Sequence, residues 1–335
     1  MTLIKKFWRL KMEKVLTVSI AAYNVEKYLR ECLNSFLDEM ILEKCEVIIV
    51  DDGSKDGTGE IAKEYVQQYP QTFIYVKKEN GGWGATLNVA MKMAKGKYFK
   101  QLDGDDMYDT SFLKDYIRKL EEIDVDVVIT PFITFDDRTG ENIQKTITLK
   151  ETPRNIELRL DDLSDKNIYN MHSSTFKTRI LQTNNIEITE HCFYTDVEYL
   201  LKALNFSDTI MFIDLTIYRY RIARDGQSVS MEGLQKHYQE HLKIVDTLLK
   251  YEEKEVRPNR RALYSYNLQN ILITQYSIFL KLNPSKNHKN ELKEFDKYIK
   301  HEYPQYYHLG YKTIEILRKS GFFGYRLVAK FTSMM

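Results

Sequence analysis

From Leu16 onward the chain alternates short apolar, β-favouring runs with stretches of helical periodicity, and this alternation limits the possible folds more than any other feature. "LTVSIAAY" leads into "VEKYLRECLNSFLDEM", where Val25, Tyr28, Cys32, Phe36 and Met40 recur at helical spacing and Asn24 stands in the N-cap position. The runs "EVIIV", "TFIYVKK", "GKYFKQL" and "VDVVITPFITF" then alternate with the helical stretches "TGEIAKEYVQQY", "ATLNVAMKMAK" and "SFLKDYIRKLEEI". Near-continuous apolar strands separated by helices predict an α/β domain, its mainly parallel central sheet covered on both faces. The pattern loosens between Asp136 and Asn185, then resumes with the helix "TDVEYLLKALNF" and the strand "TIMFIDLTIYRYR".

From Gly233 on, long helical patterns take over ("LQKHYQEHLKIVDTLLKYEEKE", "NLQNILITQYSIFLKL"), with "NPSKNHKNE" reading as a loop. The division expected is an extension over 1–14, an α/β domain over 15–230 and a mostly helical region over 231–335. Hydrophobic residues make up 43% and charged residues 29%, the balance of a packed globular chain. Lys and Arg number 49 against 48 Asp and Glu, a net charge of +1, so no global field draws in nucleic acid. Cys32, Cys45 and Cys192 show no metal-type spacing; Cys32 and Cys45 read as core, and a reducing cytoplasm is expected. No apolar run approaches the roughly 18 residues needed to cross a bilayer.

In an open parallel sheet ligands bind beyond the carboxyl ends of the strands. "VDDGS", "KENGG" and "LDGDD" all come after strands, so three polar loops are expected to converge on one crevice. Asp51 and Asp52 suit a nucleotide base or ribose hydroxyl, or else the capping of the turn "DGSKDGT". In "ENGGWGATLN", Asn80 and Gly81 open a glycine-rich turn before a helix, where backbone amides can approach phosphate oxygens. Trp83 reads equally as a core plug or a lid. Asp103 and Asp105 lie two apart and share a face in an extended segment, so one can hold a hard divalent cation while the other reaches a hydroxyl. The same tripeptide can also be a solvated acidic turn.

Taken together, "TVSIAAYNVEKYLRECLNSF", "EVIIVDDGSKDGT", "KKENGGWGATLNVAMKMAKGKYF" and "LDGDD" resemble the family 2 glycosyltransferases of the GT-A fold, densely over residues 15–110 and more loosely to about 225. The resemblance implies a nucleotide-sugar donor, usually a UDP-sugar, and inverting displacement at the anomeric carbon. It implies base and ribose contacts at Ala22, Tyr23, Asp52 and Asp103, and Mn²⁺ or Mg²⁺ on Asp105. Asp106 is expected to shape the loop. The family's general base falls on Asp196 of "HCFYTDVEYLLKAL", with Thr195 where a Glu is usual; Glu198 is a less suitable substitute, and the alternative role for Asp196, helix N-terminal electrostatics, is less favoured than the base. Leu87 and Ala90 replace the usual Arg and Gly of a following motif. Arg221, Arg224 or Gln227 in "YRYRIARDGQSVS" are expected to approach the diphosphate from a flexible loop, or to form an ordinary basic surface. His172 and His191 flank the acceptor side; they read as structural, since two unpaired histidines do not make a metal site.

The function expected is metal-dependent sugar transfer to a glycan or lipid-linked acceptor in bacterial surface-polysaccharide synthesis. The alternative is a catalytically weak nucleotide-sugar-binding partner subunit, for which Thr195 and the missing Arg speak. The tail "LRKSGFFGYRLVAKFTSMM" places Phe323, Leu327, Val328 and Phe331 near one helical face with Lys319, Arg326 and Lys330 elsewhere. Such a helix suits the inner face of a membrane, its own domain, or the partner of a homodimer.

Overall fold

The structure, a computed structural model, describes residues 14–222 and 231–332. Its chain divides into two compact units, with residues up to Ser164 and from Ile168 to 222 in the first, and Asp165–Asn167 with the residues from 231 onward in the second.

The apolar runs of the first unit become β1 (Leu16–Ala22), β2 (Cys45–Asp51), β3 (Phe73–Lys77) and β4 (Tyr98–Asp103), and all seven residues of β2 are buried. Between them lie α1 (Glu26–Asn34), α2 (Glu39–Lys44), α3 (Thr58–Gln68) and α4 (Trp83–Met93). After β4 come β5 (Met107–Tyr108), α5 (Thr110–Glu122), β6 (Val127–Ile129), β7 (Phe132–Asp136), β8 (Asn142–Thr146), β9 (Glu157–Arg159) and β10 (Ser174–Lys177). The unit closes with α6 (Thr178–Thr183), α7 (Asp196–Asn205), β11 (Thr209–Phe212) and β12 (Tyr218–Ile222). The large sheet has the order β3-β2-β1-β4-β10-β6-β11-β9; β3, β2, β1 and β4 run parallel, as do β6 and β11. Strand β10 enters antiparallel between β4 and β6. On one face Val18, Ile20, Val47 and Ile49 join Leu29, Leu33 and Phe36 in a single apolar cluster. Each such side chain contributes about 1.5–3 kcal/mol when fully buried.

Four local expectations are corrected. Helix α1 starts one residue late: Asn24 adopts φ +52° and its side chain accepts from the Lys55 amide instead of capping. The helix expected to reach Met40 breaks after Asn34, because Asp38 caps a separate α2 by accepting from the amides of Met40 and Ile41. "VDVVITPFITF" is two strands, since Pro131 lacks an amide to donate to a ladder. The chain changes sheets there: β6 stays in the large sheet, and β7 joins a smaller one of order β5-β12-β7-β8. "TIMFIDLTIYRYR" splits in the same way into β11 and β12.

In the second unit the long periodic stretches form α8 (Met231–Glu255), α9 (Arg261–Lys281), α10 (Lys286–Glu302), α11 (Lys312–Lys319) and α12 (Tyr325–Thr332). The expected loop at "NPSKNHKNE" is shorter than its sequence suggests, because the Ser285 hydroxyl accepts from the His288 amide and starts α10 at Lys286. Asp296 of α10 is buried and accepts from Tyr276 and Arg318, tying α9, α10 and α11 together. Among the described residues no helix is long and apolar enough to cross a membrane.

A side-chain contact on α4 fixes the segment that leads toward α7. The Asn88 side chain donates to the carbonyl of Ile188 and accepts from its amide, both at 2.8 Å, which seats segment 187–190 on α4. Gly84, one turn earlier, permits this approach: a methyl group there would run into the Thr189 carbonyl and the Ile188 side chain. Gly84→Ala should therefore cost about 1–3 kcal/mol of stability in urea unfolding at unchanged m-value. Unaltered stability would contradict the close packing.

Candidate active site

Parallel register sets Ala22 beside Asp51 and Ala21 beside Asp103, so the first, second and fourth strands end side by side. The Gly104 amide donates to Ala21 O at 3.0 Å and the Asp52 amide to Ala22 O at 2.9 Å, extending that alignment into the loops. Ala22 is buried at this rim, whereas Tyr23 is 49% exposed.

The two carboxylates after β2 hold loops. Asp51 is fully buried and accepts from the Ser54 amide and the Tyr75 hydroxyl, both at 2.7 Å. Asp52 accepts from Lys78 Nζ and the Gly81 amide at 2.9 Å each and from the Gly82 amide at 2.8 Å, while its carbonyl accepts from Asn80 Nδ2. The glycine amides expected to face a phosphate thus donate to Asp52. Lys78 carries no local signal of this role in the sequence, because its partner lies 26 residues earlier.

Trp83, read in the sequence as a core plug or a lid, is half-buried beside the acidic turn. Its indole Nε1 donates to Asp103 Oδ1 at 2.8 Å, and Gln101 Nε2 donates to the same oxygen at 3.4 Å. Burial and then the neighbouring Asp105 raise the Asp103 carboxyl to about 6. Asp106 is deeply buried, with Oδ2 accepting from the Tyr218 hydroxyl at 2.6 Å and Oδ1 from the Arg221 amide at 2.7 Å. Burial, followed by Asp105 and Asp103, pushes its carboxyl well up.

Arg221 corrects the expectation of a flexible diphosphate-binding loop. It lies in β12, 4% exposed, because strand pairing with β7 carries it under the acidic turn. Its Nε donates to the Asp105 carbonyl at 2.6 Å, Nη1 to Asp137 at 2.6 Å and Nη2 to Glu31 at 2.5 Å. The guanidinium also stands over the rings of Tyr28 and Phe135. Arg224 and Gln227 lie outside the described residues.

Asp196 occupies the first turn of α7, and burial raises its carboxyl. Its charge contributes to the upward shift at Asp103, which brings the two within electrostatic reach. Glu198 is fully buried and accepts from the Thr189 amide, the Thr189 hydroxyl and Lys202, so it serves the fold. Thr195 is 1% exposed, and its hydroxyl has no hydrogen-bond partner among the described residues. His191 adopts φ +52° and its amide donates to Gly81 O, closing the glycine turn against this segment. Leu87 and Ala90 are fully buried in the core.

The acidic turn suits a divalent cation on chemical grounds. Its carboxylates repel one another in poor contact with water, as the raised Asp103 and Asp106 show, and a cation would relieve that repulsion. Asp103, Asp106 and His172 can each offer a ligand atom within 4.8 Å of the others. The His172 imidazole is packed against Phe132, Tyr218 and Tyr220 and held neutral at about 3 by burial and by Lys100. Asp106, with both oxygens already bonded to Tyr218 and Arg221, serves mainly as the anchor of the turn.

The chain is similar to known proteins in sequence and in fold. The chain is 36% identical over 129 residues to the minor teichoic acid biosynthesis protein GgaB of Bacillus subtilis (strain 168), covering 38% of this chain and 14% of that protein. It spans 14% to 42% of the length of the first three curated relatives it matches. Among solved structures, S. aureus TarS 1-349 in complex with UDP-GlcNAc superposes with a TM-score of 0.59 at 21% identity, covering 92% of each chain. The mannosyltransferase PcManGT from Pyrobaculum calidifontis, in complex with GDP-Man and Mn²⁺, gives 0.53 at 15% identity, covering 98% of this chain and 92% of that one. These likenesses show the GT-A fold. Residues 17–201, more than half of the chain, match the family described as glycosyl transferase family 2, and the chain belongs to that family.

Proposed function

We propose that the protein transfers a sugar, with inversion, from a nucleoside diphosphate donor, a UDP-sugar, to a hydroxyl of a glycan or lipid-linked acceptor in cell-surface polysaccharide synthesis. The observation that carries this reading is that the first, second and fourth strands end side by side with Asp103 at their rim, close enough to Asp196 for its charge to raise the Asp103 carboxyl. The UDP-GlcNAc named with TarS and the teichoic acid named with GgaB support the donor and the pathway class. We assign the transfer to residues 15–230.

In this reading Tyr23, exposed beside Ala22, meets the base, and the half-buried Asp103 accepts from a donor hydroxyl. Asp105, with Asp103 beside it, would hold Mn²⁺ or Mg²⁺, which supplies positive charge against the departing diphosphate; the Mn²⁺ named with PcManGT supports this. Asp196 removes the proton from the acceptor hydroxyl as its oxygen forms a bond to the anomeric carbon. The bond from that carbon to the diphosphate breaks on the opposite face, so configuration inverts. Arg221 and Tyr218 keep the acidic turn in one shape while charge develops in front of it.

Three measurements bear on this. Asp196→Asn should lower transfer roughly 10²- to 10⁴-fold, the usual worth of a general base, while Mn²⁺-dependent UDP binding in calorimetry persists. Asp105→Ala should weaken that binding as well; near-normal turnover of Asp196→Asn would refute the base assignment. A mere partner subunit would show no transfer or donor hydrolysis in the wild type.

The pH profile adds a sign. A base must be ionised, and the Asp196 carboxyl is raised above its ordinary value of 3.8. Transfer should therefore fall with acidification; because Asp103, raised to about 6, loses its charge on the same side, Asp196→Asn should lose only the part of the acid limb that Asp196 supplies.

Arg221→Lys keeps one positive charge but not the three-way grip. It should lower Mn²⁺ affinity roughly 10- to 100-fold, as loss of an outer-shell partner commonly does, with the fold retained by circular dichroism. Unchanged Mn²⁺ affinity would mean that Arg221 serves stability alone.

A further inference from the structure

The last two helices of the second unit have apolar residues on both sides. Inward, Ile314, Leu317, Phe322, Tyr325 and Ala329 are buried, with α12 against α9. Outward, Ile316 is 65% exposed, Phe323 89% and Leu327 64%. The helix expected over this stretch in fact breaks at Ser320–Gly324, and Val328 is half-buried.

The break is what presents Phe323. Phe322 takes φ +63°, a left-handed conformation that a bulky side chain adopts only when its surroundings hold it there. That turn drives Phe322 into the core and leaves the next ring in solvent. Lys312, Ile316 and Lys319 on α11, Phe323 in the break, and Arg326 and Leu327 on α12 are all exposed. In chain order they form an exposed stripe in which apolar and cationic side chains alternate. Glu315 is half-buried, and the sequence has no Asp or Glu beyond it. Arg318 turns inward to Asp296.

We propose that this stripe is a docking surface for an anionic lipid bilayer. Ile316, Phe323 and Leu327 would enter the boundary between headgroups and acyl chains, while Lys312, Lys319 and Arg326 lie at the level of the phosphates. Charge complementarity selects this occupant: a second copy of the chain would set the cations of one stripe against those of the other, whereas an anionic surface satisfies all three. Isolated exposed apolar residues are ordinary, but an uncovered Phe at the tip of a left-handed turn within a cationic row is not. The surface belongs to the second unit, and the proposal does not rest on the transferase reading.

The test is flotation of the full chain with vesicles of phosphatidylcholine alone and of phosphatidylcholine enriched in phosphatidylglycerol, at low and high salt. Binding to the enriched vesicles is expected, weakening as salt rises. A Phe323→Ser/Leu327→Ser variant and, separately, a Lys319→Glu/Arg326→Glu variant should each lose about tenfold or more in partitioning. Because these side chains are exposed, thermal unfolding should be unchanged. Equal partitioning to both vesicle types, or variants that float as the wild type does, would overturn the proposal. So would gel filtration showing a wild-type dimer that Phe323→Ser/Leu327→Ser dissociates, which would make the stripe an interface between copies.

Discussion

Asp103, Asp105 and Asp106 repel one another, and the first unit is arranged so that they stay together nonetheless. The restraint comes from β12, a strand more than a hundred residues away in sequence. Tyr218 and the Arg221 amide each bond to one oxygen of Asp106, and the Arg221 guanidinium fastens the carbonyl of Asp105 to Asp137 and Glu31. A buried arginine shared among acidic partners is costly to desolvate and is retained where it fixes a geometry. Here it fixes the geometry of an acidic corner whose remaining charge asks for a cation.

The opposite wall is built by a parallel device. Asp52 gathers Lys78 and the amides of Gly81 and Gly82, which orders the glycine turn and places Trp83 so that its indole reaches Asp103. Gly84 and Asn88 then seat the segment leading to Asp196 on the same helix. The position of Asp196 thus depends on a chain of short contacts running from β2 through α4, and the two walls meet at Asp103. Carboxylates commonly credited to ligand binding can spend most of their bonding capacity on the protein, and Asp51 and Asp52 do so here.

How much the sequence disclosed depends on the range of the interactions involved. Strands β1, β2 and β4 were legible because parallel strands buried on both faces read as apolar runs, and the long helices were legible from their periodicity. The residues at the strand ends were legible from spacing and family resemblance. Arg221 was not: in "YRYRIARDGQSVS" its cationic neighbours suggest a surface loop, and only the pairing of β12 with β7 and β5 shows that it turns inward. Asn24 likewise has the chemistry of an N-cap but is drawn away by Lys55 and Ser54 across a loop. The breaks at Pro131 and at Ser320–Gly324 leave local signals, yet the change of sheet and the outward turn of Phe323 are tertiary facts.

The central claim is that the corner held by Arg221 and Tyr218 grips a cation together with a diphosphate. Linkage requires that two ligands change one another's affinity by the same factor, and a cation that contacts the diphosphate makes that change a gain. Electron paramagnetic resonance of free Mn²⁺, titrated with protein in the absence and presence of UDP, measures this directly. The account predicts one saturable Mn²⁺ site per chain whose affinity rises when UDP is added, by the same factor that Mn²⁺ raises the affinity for UDP. Mn²⁺ binding indifferent to UDP, or no saturable binding at all, would contradict it.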